Sequence, residues 1–230
     1  LNFDKYDKVI WRINGSILLI TCVGVLVVST VIGYKLLKDI FGTRYVHDLV
    51  NVNESTKKQE SLKLSYFQQL KGTDLILISL TSDQTYGTSY YSKSSSHQIR
   101  NYLLFNSTSK SGQWIWDSNA MLVLNETKIY NQTQREATQV AKGLIFEVIE
   151  KDFNGDGLLN HQDMKSVQYY DLTSGKMISI VSQMDQSIGI QQTSDDQVSI
   201  FYYRSGKSYF KSLTVSSMTL TDEITIGSVQ

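Results

Sequence analysis

The chain has 230 residues, 22 basic and 22 acidic, so its net charge is zero and it carries no electrostatic footprint for nucleic acid. A single cysteine excludes an intrachain disulfide scaffold, and proline is absent. A composition rich in Ser, Thr, Tyr and Gln suits strands and hairpins better than a helical bundle.

Residues 1–12 form a short amphipathic lead-in to an apolar stretch, 13–34, that has no charged side chain. A helix of that length rises roughly 33 Å, enough to cross the hydrocarbon core of a bilayer. Trp11 and Tyr34 mark its ends, where amphipathic rings favour the headgroup level, with Lys8 and Arg12 on one side and Lys35 and Lys38 on the other. A cleaved signal peptide has a shorter apolar core and a small-residue cleavage site, and neither is seen. A buried core helix is the competing reading. The uninterrupted apolar run predicts instead a single-pass membrane helix, ending near Gly42. Within it Gly15, Cys22 and Ser29 recur every seven residues, and Gly33 follows by four. These small residues share roughly one helical face, where a neighbouring backbone can approach closely. The expected partner is another integral membrane protein.

Flanking charge does not orient the helix, because three basic residues stand on each side. The short leading segment and the sequons at Asn53, Asn106, Asn125 and Asn131 favour an external C-terminal part. A large external region without disulfides points to a bacterial inner membrane and the periplasm. The expected organisation is lead-in and transmembrane helix over 1–44, a polar neck over 45–60, and an extracytoplasmic β domain over 61–230.

Beyond the neck, β-rich runs flank Gly72, Gly112, Gly175 and Gly206, and three of these sites read Ser-Gly-(Gln/Lys). Glycine supplies the positive φ of a tight hairpin turn. Trp114 with Trp116, and Phe201 with Tyr203, alternate along their runs and read as core and inter-sheet packing. Acidic turns at Ser82-Asp83-Gln84 and Ser194-Asp195-Asp196 precede outgoing strands. Such hairpins resemble blades of a β-propeller. The expected fold is mainly β and antiparallel, a partial or distorted propeller-like domain, with a two-sheet sandwich as the alternative. Residues 132–150 read as a polar loop or short helix followed by a strand from about Leu144 to Ile149.

Directly after that strand comes Asp152-Phe-Asn154-Gly-Asp156-Gly157-Leu158-Leu159-Asn160-His-Gln-Asp163. Oxygen-bearing side chains stand at loop positions 1, 3, 5, 9 and 12, glycine at 6 and an aliphatic residue at 8. A hard cation takes six to eight oxygens, and a short loop supplies them by curling around the ion. The stretch resembles an EF-hand loop of the dockerin type, with Asp at the last position. That resemblance implies Ca²⁺ as cofactor, held by Asp152, Asn154, Asp156, the Leu158 carbonyl, Asn160 and Asp163. It covers one loop rather than the usual pair. The incoming flank reads as strand, and only Gln162 to Tyr169 reads as a short exiting helix. A fixed structural ion is therefore expected rather than a switch.

No catalytic set emerges. His47, His97 and His161 are scattered, and no nucleophile elbow, phosphate loop or zinc pair occurs. The expected function is a non-catalytic accessory subunit of a larger membrane complex. The alternative is a stand-alone sensor whose aromatic β surface holds a glycan or peptide, and an anchored hydrolase is a third reading.

Overall fold

A computed structural model describes residues 3–41, 50–51, 61–82, 98–131 and 139–227. The chain divides into two compact units, Leu1–Tyr45 and Val46–Gln230.

The first unit is a single helix, α1 (Phe3–Phe41). Its window Trp11–Tyr34 has a mean hydropathy of 2.5 and is long and apolar enough to cross a membrane by length and composition. None of this window is buried within the chain, so Leu18, Val25 and their apolar neighbours are left uncovered. Three of the polar side chains along it are satisfied locally. Ser16, Thr21 and Thr30 each donate to the carbonyl four residues earlier, at 2.8–2.9 Å. At 3.6 residues per turn, Gly15, Cys22, Ser29 and Gly33 fall within an arc of about 40°. A Cβ added at Gly15 or Gly33 would meet nothing within 4 Å.

The second unit is mainly β, and every strand pairing in it is antiparallel. It is built as three successive up-and-down meanders. The first comprises β2 (Leu62–Gln69), β3 (Leu75–Ser82), β4 (Gln98–Asn106) and β5 (Ser111–Trp114). The second comprises β6 (Leu122–Tyr130), β7 (Ala141–Ile149), β9 (Lys165–Asp171) and β10 (Met177–Met184). A third contains β11 (Gln186–Ser194), β12 (Gln197–Arg204) and β13 (Lys207–Thr214), with β14 (Thr219–Leu220) and β15 (Ile224–Ile226) both on β13. Among the described residues, the first two meanders form one eight-stranded sheet through the pair Ile99–Val123 between β4 and β6. Residues 45–60, read from sequence as a neck, include β1 (Val50–Asn51), which pairs with β8 (Leu158–Leu159). The rest of that stretch lies outside the described residues.

Two cores hold the meanders together, and β7 shows why. Leu144, Phe146 and Val148 belong to a core shared with Leu77, Tyr102 and Leu104 of the first meander. Ile145 belongs to another, shared with Val198, Ile200 and Tyr202 of the third. The middle sheet is thus buried on both faces, which accounts for the unbroken apolar run in β7. Its close packing fixes Gly143: a Cβ there would fall inside the buried ring of Tyr169.

The hairpins at Gly72, Gly175 and Gly206 form where the sequence places them. At the last of these, Ser205 and Gly206 both have positive φ (50° and 74°), the two-residue turn that matches strand twist. Gly112 differs. It lies in β5 opposite Phe105, and the turn precedes it, with Lys110 in the left-handed region (φ 54°) and Asn106 Oδ1 accepting the Thr108 and Ser109 N–H groups. An asparagine-held turn therefore replaces the expected glycine turn. The strand over 144–149 begins earlier, at Ala141. Phe201 and Tyr203 face solvent, since the buried alternation on β12 is Val198, Ile200 and Tyr202. Trp114 is likewise exposed, whereas Trp116 packs edge-on against Phe146.

Candidate functional site

The Asp152–Asp163 loop connects β7 to β9, which are neighbours in the sheet (Val148 opposite Ser166). The exiting segment is therefore strand, not helix. Lys165–Asp171 is buried along most of its length, and its two-sided burial hides the alternation that identifies a strand. The loop is seated by Leu159, at its eighth position, which packs with Val50, Leu122 and Ile149 in a small separate core.

Within the loop the oxygens accept backbone donors in a regular order. Asp152 takes the N–H groups of Gly155 and Gly157, both at 2.7 Å. Asn154 Oδ1 takes that of Asp156 at 2.9 Å, and Asp156 Oδ1 that of Leu158 at 2.8 Å. Asp163 is 1% exposed and draws the two ends of the loop together. Its Oδ1 accepts from Phe153 and Asn154, and its Oδ2 from Asn160. Gly155 and Gly157 have φ of 75° and 81°, the bend that lets side chains at positions 1, 3 and 5 turn inward.

Asp156 Oδ2 receives the side-chain amides of Asn154 (3.1 Å) and Asn160 (3.4 Å). Two partially positive N–H groups thus gather on the exposed carboxylate. Among the described residues, no group of three or more His, Cys, Asp or Glu is placed to hold a metal ion. The loop does bring Asp152, Asn154, Asp156, Asn160 and Asp163 into one hydrogen-bonded network. Both amide oxygens are engaged as well, Asn154 Oδ1 by the Asp156 N–H and Asn160 Oδ1 by the Gln162 N–H.

Sequence reasoning did not find the groups beneath the loop. Lys165 is 8% exposed, and its ammonium donates to the carbonyls of His161 (2.9 Å), Asp163 (3.3 Å) and Asp185 (2.8 Å). Burial lowers its pKa, against the pull of Glu147, Asp163 and Asp185. Burial raises that of Glu147, with Lys165 opposing. Their only signal in the sequence is a charge inside each of two runs, Glu147 in one that reads as strand and Lys165 in one that reads as a short helix.

His161 is exposed, while His47 and His97 lie outside the described residues. Asn53 does as well. Of the other sequon asparagines, Asn106 holds its turn and Asn131 Oδ1 accepts the Val140 N–H, whereas Asn125 is exposed.

No family model matches the chain. No curated protein matches it either. Among solved structures it is similar to the β-propeller domain of the Trilobed protease from Pyrococcus furiosus, described as having an open velcro topology. The TM-score is 0.41 and the identity 12%, over 72% of this chain and 43% of that one, so the chain spans less than half that protein's length.

Proposed function

We propose that this protein is a non-catalytic accessory subunit of a larger membrane complex, anchored by α1 and carrying a calcium-stabilised β domain on the extracytoplasmic side of a bacterial inner membrane. The observation that carries this reading is the state of α1. Its apolar window has no cover among the described residues, three of its hydroxyls are bonded to its own backbone, and its small residues share one arc. An apolar helix in that condition needs lipid on most of its surface, and a smooth small-residue face admits another helix at close range. The six oxygens of 152–163 support calcium as the stabilising ion.

The test is purification of the full chain in mild detergent, comparing two sets of substitutions. Gly15→Leu, Cys22→Leu and Ser29→Leu together should release a membrane protein that co-purifies stoichiometrically with the wild type. Ile20→Leu, Val27→Leu and Val31→Leu, on the opposite side of the helix, should retain it. Equal retention by both sets, or a wild-type chain that purifies alone, would remove the subunit reading.

A further inference from the structure

A cleft of about 280 Å³ lies beside the Ile99–Val123 bridge and is lined by residues of β2, β3, β4 and β6. On one side stand Tyr66, Phe67 and Gln68, and on the other Asn125 and Glu126, with Tyr102 between them. Successive strand residues normally point to opposite faces. Here the β2–β3 register slips between Leu64 and Phe67, and this bulge lets Tyr66 and Phe67 line the same cleft. Both rings are left largely in water, 72% and 76% exposed.

The charge in the cleft is already answered. Glu126 pairs with Lys128 at 2.7 Å and hydrogen-bonds the Tyr102 hydroxyl. What remains for a ligand is neutral: the amides of Gln68 and Asn125, and the exposed aromatic faces of Tyr66 and Phe67. A cation or anion would meet no uncompensated partner. A purely apolar ligand would strand the amides. A pyranose ring has the complementary surface, with an apolar C–H face to lie on aromatic carbon and a rim of hydroxyls to reach the amides. The cleft is open, and its volume is just under the ~300 Å³ at which pockets begin to enclose drug-sized ligands. It would hold one ring-sized unit, with the adjoining units in solvent.

We propose that this cleft is a binding subsite for a neutral hexose oligosaccharide, stacked on Phe67 and Tyr66 and hydrogen-bonded by Gln68 and Asn125. The site is independent of the subunit reading and survives or fails whatever α1 contacts. The experiment is calorimetric titration of the full chain with cellotetraose, chitotetraose and maltotetraose, in a detergent without a sugar headgroup. At least one should bind with a Kd of about 1 mM or tighter. Phe67→Ala, at a position too exposed to support the fold, should weaken that binding about tenfold, and Asn125→Ala should weaken it as well. Tyr203→Ala, an exposed ring on the third meander, should leave it unchanged. Absence of binding by all three sugars, or binding indifferent to Phe67→Ala, would overturn the proposal.

Discussion

Calcium should raise the melting temperature of this protein, and the structure separates the roles of two carboxylates in that response. Asp163 is buried and accepts three backbone N–H groups, so it organises the loop with or without an ion. Asp156 is exposed, with one backbone donor and two side-chain amides as its partners. An ion that binds only the folded state at 100 times its Kd adds about 2.7 kcal/mol. For a unit the size of Val46–Gln230 each kcal/mol is worth about 2–4 °C, so the expected rise is roughly 5–11 °C. Full-length protein would be melted by tryptophan fluorescence in millimolar calcium, in magnesium and in chelator. Magnesium should act less, because it demands near-octahedral geometry and dehydrates reluctantly. Asp156→Ala should melt close to wild type in chelator and lose the calcium shift. Asp163→Ala should melt lower in both conditions, since a buried donor left unsatisfied costs about 1–3 kcal/mol. If the wild type melts identically in calcium and chelator, the loop is an acidic turn held by its own hydrogen bonds, and the metal assignment falls.

Two further outcomes follow from the middle sheet. Gly143→Ala should destabilise by at least about 1–3 kcal/mol, because the Tyr169 ring has no room to yield, and Tyr169→Leu in the same chain should recover part of the loss in a denaturant titration. Glu147, whose pKa is raised by burial above the ordinary 4.5, binds more protons folded than unfolded between 4.5 and its raised value. Its contribution to stability therefore falls as pH rises through that window. The difference in unfolding free energy between wild type and Glu147→Gln should move toward the variant over the same range, and a flat difference would refute the assignment.

The apolar helix was legible because its signal is local: a charge-free run bounded by aromatic and basic residues needs no tertiary context. The hairpins at Gly72, Gly175 and Gly206 were legible for the same reason, each turn being written in its own residues. Failures came where a long-range neighbour decided the outcome. Lys165–Asp171 lost its alternation because the first and third meanders cover both sides of the sheet, so a period-2 search could not see it. Phe201 and Tyr203 look like core by type, yet the register with β13 puts Tyr202 inward. The turn before Gly112 is held by Asn106, and that asparagine read equally well as a sequon. The oxygen-bearing residues of the loop were legible as a spacing, but not the buried Lys165 beneath them. The cleft was invisible, since Phe67 and Glu126 are far apart in sequence and meet only through the order of strands in the first two meanders.

Lys165 is also the reason an ion in this loop would stabilise more than the loop. A buried ammonium is costly unless it is fully bonded and faces opposite charge. Here its three acceptors come from two places. The carbonyls of His161 and Asp163 belong to the exit of the loop, and that of Asp185 belongs to the short joint between β10 and β11. Through that joint the chain passes from the second meander to the third. Asp185 in turn accepts the Ser205 N–H at 2.7 Å, in the β12–β13 turn, and donates its own N–H to the Tyr203 carbonyl. The neighbouring Arg204 donates to the carbonyls of Ser182 and Gln183 just before the joint, and pairs with Glu223. If the loop opened, Lys165 would lose two acceptors and remain a buried charge with one, and the connection to the third meander would weaken with it. Closing the loop with a cation keeps Asp163 and His161 where Lys165 needs them. The gain should therefore appear in a single transition of the whole β unit, rather than as a local ordering of residues 152–163.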